Sequence, residues 1–171
     1  MAFIISTTIM NTELKERLML LAERYETPAF IVEDPIRIPH RYHSQTDVEI
    51  SALVTSWIAT GNRKAIIKSA DRIDCAIFKN APYQYIMSKE WRMYAGQKGS
   101  FYRYYSFDDF YLLCDTLYTV YSRKPTLEDY LYESFDTLSP LQRLQSVFGH
   151  INGMPEMSST SEAKKMCMFL R

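Results

Sequence analysis

The chain has 171 residues, with 20 Lys plus Arg against 20 Asp plus Glu, and is 47% hydrophobic and 23% charged. That is enough chain for one domain with a substantial core, and the apolar share with balanced charge excludes an intrinsically disordered polymer. Three cysteines, Cys75, Cys114 and Cys167, exclude a disulfide scaffold and point to a reducing, cytoplasmic setting; no apolar run approaches the roughly 20 residues of a membrane helix.

Residues 1–10 are apolar but carry no Lys or Arg, which argues against a signal peptide; they read as a short extension docked on a single helical domain over 11–171. From Asn11, Leu14, Leu18, Leu21, Ala22 and Tyr25 recur at helical spacing, and Thr27-Pro28 ends that helix because the residue before proline avoids the helical region. Residues 33–44, with Pro35 and Pro39, read as a loop. Thr46-Asp47-Val48-Glu49 has the form of a capping box opening a helix through Val48, Ala52 and Trp57, with Gly61 as its left-handed cap. Asn62 then caps a helix with Ile66, Ala70, Ile73 and Ile77 along one side. Another helix is expected from Pro82 to about Tyr94, followed by a loop marked by Gly96 and Gly99. Ser106 to Asp109 is a second cap of the same type, and Phe110, Leu113, Cys114, Leu117 and Tyr121 form the stripe behind it. Pro125-Thr126 opens a short helix with Leu127, Tyr130 and Leu131. Ser139-Pro140 is an N-cap with proline at the first helical position, and that helix runs to about Ile151. Asn152 to Pro155 break it. Residues 158–161 start a last helix with Ala163, Met166, Cys167 and Leu170 on one face.

These signals predict a compact all-α, orthogonal bundle of about eight helices, with no convincing strand and no sustained heptad. The last helix stops at an apolar run without a cap. The expectation from this ending is a truncated domain whose Met166, Phe169 and Leu170 invite homodimerisation.

Zero net charge conceals blocks. Residues 1–60 carry −3, residues 61–105 carry +6, residues 106–140 carry −5 and residues 141–171 carry +2. The basic block also holds Tyr83, Tyr85, Trp91, Tyr94, Phe101, Tyr102, Tyr104 and Tyr105. Interleaved cations and rings suit nucleic acid, because cations meet phosphates and rings stack on bases; cations outside a helix and rings inside give the same pattern. Gly61-Asn62-Arg63-Lys64 places a helix N-terminus beside two cations, a combination that attracts phosphate. Lys164 and Lys165 fall in the first turns of the last helix, where the positive helix end disfavours the ammonium; a neutral amine attacks an aldehyde carbon. His40-x-x-His43, flanked by Arg37 and Arg41, lacks the third ligand a metal needs, so no metal is expected. There is no Gly-x-Ser-x-Gly elbow, no P-loop and no Gly-x-Gly-x-x-Gly, so neither a hydrolase triad nor a nucleotide cofactor is expected.

Pro28-Ala29-Phe30-Ile31, Asp34-Pro35-Ile36, Ile38-Pro39-His40-Arg41-Tyr42, Asp47-Val48-Glu49-Ile50 and Trp57 through Lys64 resemble the opening blocks of a bacterial family of unknown function. Gly149 through Gly153 and Lys164 through Arg171 resemble its later blocks. Members of that family run on past the Phe-Leu-Arg block into an Asp-Thr-His-Val-like segment. The later blocks are distantly similar to the helix-hairpin-helix DNA glycosylase superfamily. That resemblance implies a DNA partner and a catalytic Schiff-base amine on Lys164. The nucleic-acid contacts expected are Asn62, Arg63 and Lys64 at their helix start, with Ser161 and Lys165 near the start of the last helix. The resemblance also implies an assisting Asp in the segment absent here, so this chain alone is expected to be inactive. In place of the superfamily's Gly-rich hairpin turn stands Ser158-Ser159-Thr160-Ser161-Glu162, which lacks the glycines that allow close backbone approach. The alternatives are a non-catalytic nucleic-acid-binding module and a helical protein-interaction domain.

Overall fold

A computed structural model describes residues 12–25, 27–154 and 164–169. The expected boundary between residues 10 and 11, and the start of the last helix at 158–161, lie outside these residues. Contacts divide the chain after Asp34. The first unit holds α1 (Thr12–Tyr25) and the short α2 (Pro28–Val32). Thr27 caps α2, its hydroxyl accepting from the Phe30 N–H. No residue of α1 is buried: Leu14, Leu18 and Leu21 are all exposed.

Among its described residues the second unit is all-α apart from one small hairpin. After two 3₁₀ turns (Pro35–Arg37 and Pro39–Arg41) come α3 (Gln45–Trp57), α4 (Arg63–Arg72) running into a π turn (Ile73–Ile77), and α5 (Pro82–Ser88) with a 3₁₀ turn (Glu90–Tyr94). The hairpin of β1 (Ser100–Tyr102) and β2 (Tyr105–Ser106) follows, then α6 (Phe107–Arg123), α7 (Leu127–Ser134), α8 (Pro140–Phe148) and α9 (Lys164–Phe169). Among the described residues no helix is long and apolar enough to cross a membrane.

Helix α3 is the centre of this unit, with Ile50, Leu53, Val54 and Trp57 buried. Trp57 stacks on Tyr105 with ring centroids 4.6 Å apart, and the Phe101 and Phe110 rings lie 4.1 Å apart beside it. Burying an aromatic ring of this size contributes about 2–3 kcal/mol before any ring geometry is counted. Helix α6 supplies Phe110, Leu113, Cys114, Leu117, Val120 and Tyr121 to the same core. Met166 of α9 is also buried there and Phe169 packs against it, while Met168 is exposed; Leu170 lies outside the described residues.

The caps at Asn62, Ser106 and Ser139 form as the sequence predicts. Asn62 Oδ1 accepts from the Lys64 N–H at 2.9 Å, and Ser106 with Asp109 and Ser139 with Gln142 make reciprocal capping boxes. Thr46 to Glu49 do not. Helix α3 already starts at Gln45 after Ser44, and its two carboxylates cap other helices. Asp47 accepts from the Tyr83 N–H at the start of α5, at 2.8 Å. Glu49 accepts from the Leu127 N–H (2.9 Å) and Glu128 N–H (3.3 Å) of α7, and from the Tyr121 hydroxyl (2.9 Å). Gly61 does not cap α3 either: that helix closes at Ile58, and Gly61 (φ +106°) lies in the link to α4. The single helix expected over 82–94 breaks at left-handed Lys89 (φ +62°), because the Trp91 indole folds back and donates to the Ile86 carbonyl at 2.9 Å. Helix α8 stops at Phe148, short of Ile151.

Candidate functional site

A helix end leaves carbonyl oxygens without intrahelical partners, and its partial negative charge favours a cation nearby. At the end of α3, the Trp57 carbonyl accepts from Lys165 Nζ of α9 at 2.7 Å. The same ammonium donates to the Tyr105 hydroxyl and lies 4.5 Å from the centre of that ring. Lys165 is half-buried, and its desolvation pulls the amine down to about 8 from the ordinary lysine value.

Tyr105 is held from both sides. Trp57 stacks on it, and Gly153 (φ +84°) sits so close that a Cβ there would lie 2.4 Å from the tyrosine ring. The adjoining Asn152 carbonyl accepts from the Trp57 indole at 2.8 Å, and Asn152 Nδ2 donates to Asp109 Oδ2 at 3.2 Å. The Asn152-Gly153 break after α8 is therefore a clamp on the Trp57–Tyr105 stack.

Three residues further along the chain from Trp57, the Thr60 carbonyl accepts from the Tyr102 hydroxyl at 3.3 Å. Arg103 Nε donates to that hydroxyl at 3.1 Å, and its guanidinium lies over Gly61, where a Cβ would be 2.7 Å from it. Next in the chain are the N-cap Asn62, then Arg63 and exposed Lys64 in the first turn of α4. So the hairpin, the α4 N-terminus and the start of α9 converge on one feature, the exit of α3.

Of the residues singled out in the sequence, Asn62, Arg63 and Lys64 fall together at the α4 N-terminus. Lys165 belongs to the other half of the same region with its ammonium turned onto Trp57 and Tyr105. Lys164 is the first residue of α9, and Ser161 lies outside the described residues. Arg103, Tyr105, Trp57 and Gly153 were not singled out as site residues. The available signal was the run Phe101-Tyr102-Arg103-Tyr104-Tyr105 between a loop marked by Gly96 and Gly99 and a capping box.

The His40–His43 segment has a structural role. Arg41 pairs with Asp71 and, at 3.1 Å, with the fully buried Asp74; the Tyr42 hydroxyl donates to Asp74. Burial and the Asp74 charge push the Tyr42 phenol well above its ordinary value. No group of three His, Cys, Asp or Glu among the described residues is placed to hold a metal ion.

The arrangement defines an all-α domain with a cationic, aromatic-backed edge where one central helix ends. The chain belongs to the family described as "Protein of unknown function (DUF2400)", which matches residues 34–171. Neither a curated protein nor a solved structure matches the chain. Nothing in these comparisons links it to the helix-hairpin-helix DNA glycosylases.

Proposed function

We propose that this domain binds nucleic acid, with DNA as the first partner to test, through the edge at the end of α3. The observation that carries the reading is the Arg103 guanidinium lying over Gly61 at the start of α4. It adds a cation from another element to the one helix end where Asn62, Arg63 and Lys64 already stand. A helix N-terminus, a guanidinium and a lysine match phosphate oxygens in charge and in hydrogen-bond direction. Lys165, whose ammonium is turned inward onto Trp57 and Tyr105, fastens α9 beside this edge. The expected result is binding of labelled duplex or single-stranded DNA that weakens steeply as salt rises. Absence of binding at low salt, or binding indifferent to salt, overturns the reading.

A second reading is amine chemistry on DNA, as in the glycosylase-like proteins the later sequence blocks resemble. Its support is that α9 begins at Lys164, and that the neighbouring ammonium, Lys165, is already depressed toward neutrality by burial. In that reaction the Lys164 amine attacks the C1′ aldehyde of an abasic sugar. Water leaves, and an imine links protein to DNA. Borohydride reduces that imine to a stable amine. An adduct lost in Lys164→Ala supports the reading. No adduct from a longer chain that carries the assisting Asp segment, or an adduct that survives the substitution, counts against it. An adduct lost only in Lys165→Ala moves the chemistry one residue along the chain.

A further inference from the structure

The turn of the β1–β2 hairpin is made of Arg103 and Tyr104, between paired Tyr102 and Tyr105. Two-residue hairpin turns favour Asn and Gly, because they need positive φ. Here Arg103 takes the left-handed conformation (φ +51°), which a residue with a side chain adopts only at a steric cost. Tyr104, beside it, is 79% exposed while its neighbour Tyr105 is 5% exposed. The chain thus sets a cation and a large ring in solvent at a position where small residues would fold more easily.

The tip stands on a rigid base. Ser100 Oγ donates to the Arg103 carbonyl at 2.8 Å, and Asn152 Nδ2 reaches the Tyr104 carbonyl at 3.4 Å. Tyr105 is fixed between Trp57 and Gly153. Arg103 is drawn toward Gly61 by its bond to the Tyr102 hydroxyl, so its charge faces the α4 N-terminus rather than screening Tyr104. The acidic neighbours are occupied: Asp109 Oδ2 accepts from Ser106 N–H, Ser106 Oγ and Asn152 Nδ2, and Asp108 accepts from the Gly96 N–H.

We propose that Tyr104 stacks on an unpaired base while Arg103 meets the adjoining phosphate, so that this edge binds single-stranded DNA in preference to duplex. In a duplex both faces of a base are covered by its neighbours, whereas an unpaired base leaves a face for an exposed ring. This inference rests on the nucleic-acid reading above: it can fail while that reading stands, but not the reverse.

The test is fluorescence anisotropy of the full chain with a labelled single-stranded oligonucleotide and with the same strand in a duplex. The single strand is expected to bind more tightly. Tyr104→Ala should weaken single-strand binding by about 5- to 150-fold, the range of one base stacked on an aromatic ring, and leave duplex binding unchanged. Tyr104→Phe should retain it, since the ring and not the hydroxyl does the stacking. Because Tyr104 is exposed, both variants should melt as the parent does, which a thermal scan verifies. Equal binding of both DNAs, or a Tyr104→Ala variant that binds single strands normally, overturns the stacking proposal while the nucleic-acid reading stands. No binding of either DNA overturns both.

Discussion

Lys165 Nζ donates to the main-chain oxygen of Trp57 across 108 positions of sequence, fastening α9 to the end of the central helix. The contact pairs a cation with the negative end of a helix, yet it also takes the ammonium part-way out of water. The desolvation wins, and the amine falls to about 8.

A pH dependence follows from that shift. The folded amine loses its proton near 8, and the unfolded one holds its proton to about 10.4. Between those values the unfolded state binds more protons, so this residue makes stability rise with pH through that window. The side chain is partly solvated, so the gain should be only about 1 kcal/mol after screening. Urea unfolding between pH 7 and about pH 9.5 checks it. Lys165→Met should remove the slope; a slope unchanged in that variant would show that another group causes it.

Gly153→Ala should be among the more damaging single-methyl additions in the chain. The new Cβ meets the Tyr105 ring, and the backbone there is left-handed. Both effects act together, at about 2–3 kcal/mol. Chemical denaturation reads the loss directly; a variant as stable as the parent would mean that Tyr105 swings away freely and is not clamped.

Glu49→Ala should loosen α7 rather than α3. Its carboxylate is the cap on the Leu127 and Glu128 N–H groups, and losing a cap costs about 1–2 kcal/mol. Hydrogen exchange should accelerate in the first turn of α7 and stay slow through α3. Acceleration at the start of α3 instead would restore the local capping box read from sequence.

Asp74→Asn should release the 3₁₀ turn at Pro39–Arg41 from the π turn after α4. The buried carboxylate holds Arg41 and the Tyr42 hydroxyl, and hydrogen bonds to a charged group contribute about 1.5–3 kcal/mol. The Tyr42 phenol should also titrate closer to its ordinary value, visible by ultraviolet absorbance on raising the pH. A phenol titrating as in the parent would exclude Asp74 as a cause of its shift.

What the sequence revealed was local. Asn62, Ser106 and Ser139 cap helices through partners two or three residues away, so spacing alone exposes them. Asp47 and Glu49 look the same in sequence, but their partners lie 36 and 78 positions on, and only the packing of α3 against α5 and α7 decides where they point. The hairpin escaped because its strands are three and two residues long, too short for alternation to show. For the site, Asn62 to Lys64 were legible as a helix start with cations. Arg103 was not, because nothing in the sequence brings it to Gly61. Lys165 was legible as a lysine at a helix start, but its burial depends on Trp57 and Tyr105, which arrive from distant segments.

Cations from separate elements, Lys64 and Arg103, are expected to meet phosphate at the end of α3. The most direct measurement is the salt dependence of DNA binding for the parent and for the double variant Lys64→Ala/Arg103→Ala. Each phosphate contact contributes about one to the slope of log K against log salt, so the variant should bind more weakly and lose about two. A double variant with the parent's affinity and slope would place any DNA contact away from the end of α3.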